Sequence, residues 1–222
     1  MENDKKMERR IKMKNYKKWT VGLIGGWFVF AVLASILGLF TNTSNGIGVA
    51  VALAAGVPLV AFGIWFAVSE GFRSYALSLS PRALTFAHSW RILGLVLVVM
   101  ALRGTLPDVF GLSAGIGDML IGATAPLVAL KLVNSGHRGS FIAWQLLGMT
   151  DLVMAVGLGV TATMLGSQAA SIGPMTVLPL SLVPTFFVPL LFMIHVVCIA
   201  QARRWPAAEQ SRPSGRPVPA RV

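Results

Sequence analysis

The sequence has few charged residues and a single cysteine. Only 12% of its 222 residues are Asp, Glu, Lys or Arg, about half of the roughly 25% that is usual in soluble domains. The lone thiol, Cys198, can form neither an intrachain disulfide nor a metal–thiolate cluster. We expect it to behave as a small buried apolar residue. These shortages exclude an ordinary soluble globule and a domain held together by disulfides.

The apolar runs contain too few lysines and histidines to bind retinal or a pair of haems. No lysine lies deep in any run, which excludes a retinal Schiff base. Of the three histidines, His137 falls in a loop, so the four ligands of a paired-haem cytochrome are not present. His88 and His195 could ligate one haem between them, or could simply hydrogen-bond to neighbouring helices. The sequence therefore predicts no cofactor and no metal.

Long hydrophobic runs dominate what is present. Hydrophobic residues make up 55% of the chain and the mean hydropathy is +0.72. The runs predict six membrane spans, at residues 21–40, 47–69, 84–103, 110–132, 141–165 and 174–200. A basic tail, 1–18, precedes a transmembrane domain at 19–201, and the Pro- and Arg-rich tail 202–222 is expected to be disordered. The predicted fold class is all-α, a polytopic transmembrane helix bundle.

The net charge of +11 is distributed as expected for a membrane protein. In a soluble protein such an excess would suggest nucleic acid. With six spans, 17 of the 19 lysines and arginines fall on one side, in the two tails and the second and fourth linkers. The positive-inside rule then places both termini in the cytoplasm. The expected partner is the lipid bilayer and not nucleic acid.

Two aspartates and one arginine fall inside the predicted spans. Asp118 lies about 12 Å into the fourth span, near the midplane of a core about 30 Å thick, and Asp151 lies similarly deep in the fifth. Arg91, in the third span, is the expected counter-ion, with Asp118 as its partner. One guanidinium cannot balance two carboxylates, so the surplus carboxyl of Asp151 should take up a proton, as in a proton relay. The three groups could instead serve only to lock the bundle together.

Small residues accompany each buried aspartate at helical spacing. They are Gly111, Gly115 and Gly122 in the fourth span, and Gly148 and Ala155 in the fifth. Small residues let membrane helices approach closely, and the first two form a GxxxG pair. We therefore expect the fourth and fifth spans to pack against each other through these two faces.

Prolines interrupt two of the spans. Pro58 lies inside the second, and Pro179, Pro184 and Pro189 follow one another at intervals of five in the sixth. Each removes a backbone donor and crowds the preceding turn; Pro189, for example, releases the carbonyl of Thr185. The sixth span is expected to be kinked, either statically or as a helix that lines a site and moves.

The stretch GIGD at residues 115–118 is similar to the GxGD signature of intramembrane aspartyl proteases of the presenilin and prepilin-peptidase kind. In those families a second aspartate on an earlier helix works with the GxGD aspartate. Here the second aspartate, Asp151, comes later in the chain. The resemblance implies two midplane carboxylates that share a proton and activate water.

A wider pattern runs through the second half of the chain. WRILG at 90–94, AGIGD at 114–118 and VPTFFVPLLFMIH at 183–195 resemble a group of bacterial six-span membrane proteins with no assigned activity. The resemblance implies the fold and a location in the bacterial inner membrane. It supplies no chemistry.

Three functions are compatible with these observations. The first is a small permease or proton-linked transporter, or a subunit of one, that uses Arg91, Asp118 and Asp151 on an unidentified small molecule or ion. The second is a non-enzymatic membrane partner or sensor in which the same groups are structural. The third is an enzyme, either an aspartyl protease or a haem oxidoreductase. A homodimer or membrane complex is also expected, and the glycines of the first span could form its interface; they are Gly22, Gly25 and Gly26.

The charge distribution predicts the topology. A reporter fused at Asn45, Pro107 or Gln168 should lie in the periplasm. One fused at Ser78, Gly136 or Arg212 should lie in the cytoplasm, because basic loops are retained on the cytoplasmic side. Paired alkaline phosphatase and fluorescent protein fusions measure this. A cytoplasmic signal at Gln168 would contradict six spans.

Overall fold

The computed structural model describes residues 2–41, 48–165 and 171–206, and all regular structure within them is helical. Among the described helices, six are long and apolar enough to cross a membrane: Met13–Ile36, Val49–Val68, Pro81–Leu102, Asp108–Lys131, Ser135–Ala162 and Val183–Ala202. This confirms the all-α class and the six membrane-length helices of a multi-pass protein. The polar turns predicted near 41–46 and 166–173 lie largely outside the described residues, as does the C-terminal tail from residue 207.

The α-helices are numbered in chain order as α1 Glu2–Ile36, α2 Val49–Val68, α3 Glu70–Ser78, α4 Pro81–Phe86, α5 Leu95–Leu102, α6 Asp108–Lys131, α7 Arg138–Leu165 and α8 Val188–Ala202. A 3₁₀ helix, Ala87–Gly94, joins α4 to α5, and these three segments together form the third span. A π-helix, Val183–Phe187, leads into α8, and the two form the sixth. Short 3₁₀ turns lie at Ser135–His137 and Gly173–Thr176.

The helix boundaries differ from the predicted ones near the N-terminus. Helix α1 begins at Glu2, so the basic tail continues into the first span as one helix. It ends at Ile36, earlier than predicted, because the chain turns at Gly38, whose φ of +68° is in the left-handed region that favours glycine. The second linker is itself helical as α3, where the Ser69 hydroxyl accepts from the backbone N–H of Phe72 at 3.2 Å.

The prolines of the sixth span lie mostly at the starts of segments. Pro179, predicted to kink a helix, lies in a turn before the π-helix, so that prediction was wrong. Pro184 occupies the first turn of the π-helix, where a missing N–H group costs little, whereas Pro189 lies where the π-helix continues directly into α8 and does leave a carbonyl without its helical donor. Pro58 does lie inside α2.

The backbone carbonyl of Thr185, which Pro189 leaves without its helical donor, accepts a hydrogen bond from another helix. The indole Nε1 of Trp27, on α1, donates to the backbone oxygen of Thr185 at 3.1 Å. Buried backbone carbonyls in an apolar setting need such a partner. This bond fastens α1 to the start of the sixth span.

The glycine face of α6 packs against the third span, which corrects the expectation that it packs against the fifth. A Cβ added to Gly115 would lie 2.7 Å from the carbonyl oxygen of Gly94 and 2.7 Å from a methyl group of Val98. One added to Gly111 would lie 2.7 Å from the Cβ of Ala101, and one at Gly122 would meet the Arg91–Ile92 backbone. The sequence reveals which helix face is small but not which neighbour covers it.

The small residues of α7 face two different partners. A Cβ on Gly148 would lie 2.5 Å from Cε1 of His195 on α8. Ala155 packs beside a buried apolar cluster that includes Phe110 and Ala114 of α6. Cys198 is fully buried in a second cluster with Phe141, which confirms it as a small apolar residue.

Packing is uneven across the bundle. Helix α8 contributes eight buried residues, whereas α2 contributes none among its 20. Helices α1 and α2 therefore stand at the margin, and the densely packed centre consists of the third span, α6, α7 and α8.

The close approach at Gly115 predicts a sharp contrast between two glycine-to-alanine changes. Gly115→Ala should lower the free energy of unfolding by about 1–3 kcal/mol, because the added methyl group overpacks the contact with the third span. Gly157→Ala, in α7, adds a methyl group where no described atom lies within 4 Å, so it should be neutral or stabilise by about 0.5–1 kcal/mol through helix propensity. Thermal melts in detergent measure both, and equal melting temperatures would contradict the packing of α6.

Candidate functional site

The 3₁₀ helix of the third span determines which side chains face the bundle centre. With three residues per turn, side chains three apart are aligned. His88, Arg91 and Gly94 are its buried residues and follow that period. Gly94 allows α6 to approach, since a Cβ there would lie 2.6 Å from the Cβ of Asp118. The segment therefore presents an imidazole and a guanidinium to α6, α7 and α8.

Arg91 lies at the centre of the site, with its side chain only 1% exposed. Its Nε donates to Oδ1 of Asp118 at 2.6 Å, and its Nη2 donates to Oδ2 of Asp151. Nη1 lies 3.4 Å from the carbonyl oxygen of Gly148 and 3.4 Å from Nε2 of His195. The guanidinium thus meets acceptors on three helices, which is how a buried arginine is tolerated.

The structure brings together the three charged residues named from sequence, with one difference. The expectation was a single ion pair between Arg91 and Asp118, but the guanidinium bonds to Asp151 as well. Both carboxylate side chains are about one-fifth exposed, 19% and 17%. Asp151 lies against Gly117 of α6, where an added Cβ would collide with its Oδ1.

A chain of hydrogen bonds orients the fourth acceptor, His195. Its Nδ1 lies 2.5 Å from the amide oxygen of Gln145, which can only accept, so Nδ1 carries the proton. Nε2 is then free to accept from Arg91. The amide nitrogen of Gln145 donates to the hydroxyl of Thr85 at 3.4 Å, and that hydroxyl donates to the carbonyl of Pro81 at 2.7 Å. His195 is therefore a neutral acceptor with a fixed tautomer.

His88 and His195 lie together in an arrangement unsuited to a haem. Their rings stack with centroids 3.9 Å apart and planes 21° apart, which leaves no room for a porphyrin between them. Trp144 meets the His88 ring edge-on at 5.8 Å. Both ring nitrogens of His88 are buried and have no hydrogen-bond partner within the described residues.

Two other chemistries fit the geometry poorly. An aspartyl protease dyad shares one proton directly between its carboxylates, whereas here the guanidinium of Arg91 bonds to both. Within the described ranges, no group of three or more His, Cys, Asp and Glu side chains is placed to hold a metal ion.

Sequence reasoning missed Gln145 and Thr85, both fully buried. It concentrated on ionisable groups and passed over neutral ones. A signal existed for Gln145, because it precedes Gly148 by three residues and so lies beside it on one helix face. Thr85 precedes His88 by three residues. That spacing would have pointed to Thr85 as a site residue only if the 3₁₀ segment that follows it had been predicted.

Most of the chain matches a known protein family. A family model described as Domain of unknown function (DUF8737) matches residues 48–203. No curated protein and no solved structure matches the chain.

The shared guanidinium predicts non-additive effects of removing charge. Asp118→Asn and Asp151→Asn should each destabilise by about 0.5–1.5 kcal/mol, because Arg91 keeps one carboxylate and each amide oxygen can still accept. The double variant leaves Arg91 buried without a counter-ion and should cost about 3–5 kcal/mol. Thermal melts of the four proteins in detergent, with exposed Arg103→Gln as a control, test this. Additive losses would mean that Arg91 does not hold both carboxylates.

Proposed function

We propose that this chain, which belongs to the DUF8737 family, is a proton-linked transporter of a small molecule or ion in the bacterial inner membrane, or a subunit of one. The observation that carries the proposal is a single buried guanidinium bonded to two carboxylates from two other membrane-length helices. The family is described only as a domain of unknown function, so the chemistry of this site carries the proposal.

The charge balance of the site supports proton binding. One guanidinium and two ionised carboxylates leave one negative charge in excess. Intramembrane ionisable residues usually pair with one another or mark proton and substrate pathways. Arg91 supplies the pairing here, and a proton on one carboxyl removes the excess. The site thus combines a permanent ion pair with one exchangeable carboxyl.

Asp151 is the better candidate for the exchangeable group. Asp118 belongs to α6, a helix that is already held to the third span by close backbone packing at Gly94 and Gly115. Asp151 lies on α7. The other described hydrogen bond between α7 and the guanidinium is the longer one to the carbonyl oxygen of Gly148, at 3.4 Å. Protonation of Asp151 replaces an ion pair with a weaker neutral contact. The state of this carboxyl therefore sets how strongly α7 is held to the third span.

The third span also has a segment suited to a change of shape. A 3₁₀ stretch of eight residues is longer than the usual three or four, and mid-helix 3₁₀ stretches often mark functional hinges. Conversion of Ala87–Gly94 to α-helix would shorten it by about 4 Å, from roughly 2.0 to 1.5 Å per residue. It would also offset His88 from Arg91 by about 60° around the helix axis, at 3.6 instead of 3.0 residues per turn. Such a step can link protonation to alternating access.

Proton-coupled solute movement tests the proposal. Purified protein is reconstituted into liposomes that contain a pH-sensitive dye, and small solutes are added outside one class at a time: sugars, amino acids, organic anions, organic cations and metal ions. We expect one class to evoke a change of internal pH with wild-type protein. Asp151→Asn should abolish it, because an amide cannot exchange the proton.

The matched control is Asp108→Asn, which removes an exposed aspartate at the start of α6 and away from the site. It should leave the pH signal intact. If no solute evokes a signal, or if wild type and Asp151→Asn respond alike, the charged groups serve the packing of the bundle and the transport proposal fails.

A further inference from the structure

A long apolar groove lies between the marginal helices α1 and α2 and the inner helix α8. Its volume is about 1030 Å³, at the upper end of the roughly 300–1,000 Å³ found for ligand pockets. Its wall on α1 runs from Thr20 to Ala34, about 21 Å at 1.5 Å per residue. None of Arg91, Asp118 and Asp151 lines it, so it is separate from the charged site.

We propose that this groove binds the acyl chains of an anionic phospholipid from the surrounding bilayer. The groove walls are almost entirely aliphatic and aromatic, and α2 buries no residue of its own. An apolar occupant of membrane length fits such a wall, because a polar one would leave its hydrogen-bonding groups unpaired. This inference does not depend on the proposed transport function.

Polar features at one end of the groove match the chemistry of a phospholipid. Lys17 and Lys18 are exposed within the turn that precedes Thr20, where they can attract a phosphate. The Thr20 hydroxyl, which lines the same end, is buried and has no hydrogen-bond partner in the described part of the chain. It lies between the basic residues and the apolar wall, as ester oxygens lie between headgroup and acyl chains.

An aromatic cluster marks the same end as the interfacial one. The rings of Trp65 and Phe72 stack at 3.8 Å, and Tyr16 contacts both Trp65 and Tyr75. Trp and Tyr are enriched where a membrane meets water. The exposed lysines, the Thr20 hydroxyl and the apolar wall therefore follow one another in the order of headgroup, ester and acyl chain.

A second copy of the chain is the competing occupant, since Gly22 and Gly26 form a GxxxG pair that lines the groove. A two-fold axis along the membrane normal brings identical residues together at equal depth. A symmetric dimer through this face would therefore set lysines against lysines, whereas a lipid phosphate brings the opposite charge. Charge complementarity favours the lipid.

Neighbouring glycines provide a matched pair of variants. A Cβ on Gly25 or on Gly26 meets no described atom within 4 Å, but only Gly26 lines the groove. Gly26→Leu fills the groove and Gly25→Leu does not, while both make the same change to the helix. Native mass spectrometry of the full chain in detergent, titrated with phosphatidylglycerol or with phosphatidylcholine of the same acyl chains, measures retained lipid and dimers together.

We expect wild-type monomers to retain phosphatidylglycerol in preference to phosphatidylcholine. Gly26→Leu should weaken that binding about tenfold or more, which corresponds to ~1.4 kcal/mol, and Gly25→Leu should leave it unchanged. The double change Lys17→Gln and Lys18→Gln should remove the preference for phosphatidylglycerol and keep the weaker binding of phosphatidylcholine.

Three outcomes would overturn the proposal: equal lipid retention by Gly25→Leu and Gly26→Leu, no preference for the anionic lipid in wild type, or dimers that retain no lipid. The last would assign the groove to a second copy. Asp151→Asn should bind lipid as wild type does, so failure of the transport proposal leaves this one standing.

Discussion

The burial of Arg91 is the constraint on which the rest of the bundle depends. Removing an ion from water costs several kcal/mol even after the protein relaxes, and a guanidinium cannot avoid this by losing its proton. Its N–H groups must therefore find acceptors, and four of the five do so among the described residues. Asp118, Asp151 and His195 meet it from α6, α7 and α8, so one side chain dictates that three helices converge on the third span.

Convergence on one side chain explains the positions of the small residues. Helices can bring short side chains such as aspartate to a common point only if their backbones come close. Gly94 and Gly115 make that approach between the third span and α6, and Gly148 admits the His195 ring between α7 and α8. The charged site therefore depends on the glycines, since without them the helices could not come close enough for the acceptors to reach Arg91.

Composition and periodicity were sufficient for the six membrane-length helices and for the residues of the charged centre, because twenty-residue apolar runs and isolated intramembrane charges are local signals. The partner of each helix face was not local. A glycine such as Gly115 allows close packing equally well against α5 or against α7. The sequence therefore did not identify the neighbour, and the small residues of α6 were assigned to the wrong helix. The 3₁₀ segment was equally hidden, because nothing in the residues of Ala87–Gly94 distinguishes a 3₁₀ helix from an α-helix, and the alignment of His88 with Arg91 exists only in the folded bundle.

Helix α8 borders both sites, and this limits how they can influence each other. It presents His195 to Arg91 and Met193 and Ile194 to the groove. Suppose that α8 can occupy two alternative positions in the bundle. A lipid in the groove then changes the charged site only if it binds the protein more tightly when α8 is in one position than in the other, since a ligand with equal affinity for both states does not shift the equilibrium. The His195 tautomer, fixed by Gln145, makes one position of α8 favourable because Arg91 then has its fourth acceptor. If α8 moves to a second position, Arg91 loses Nε2 of His195 and needs another acceptor. The two carboxylates can provide it, because each has a second oxygen.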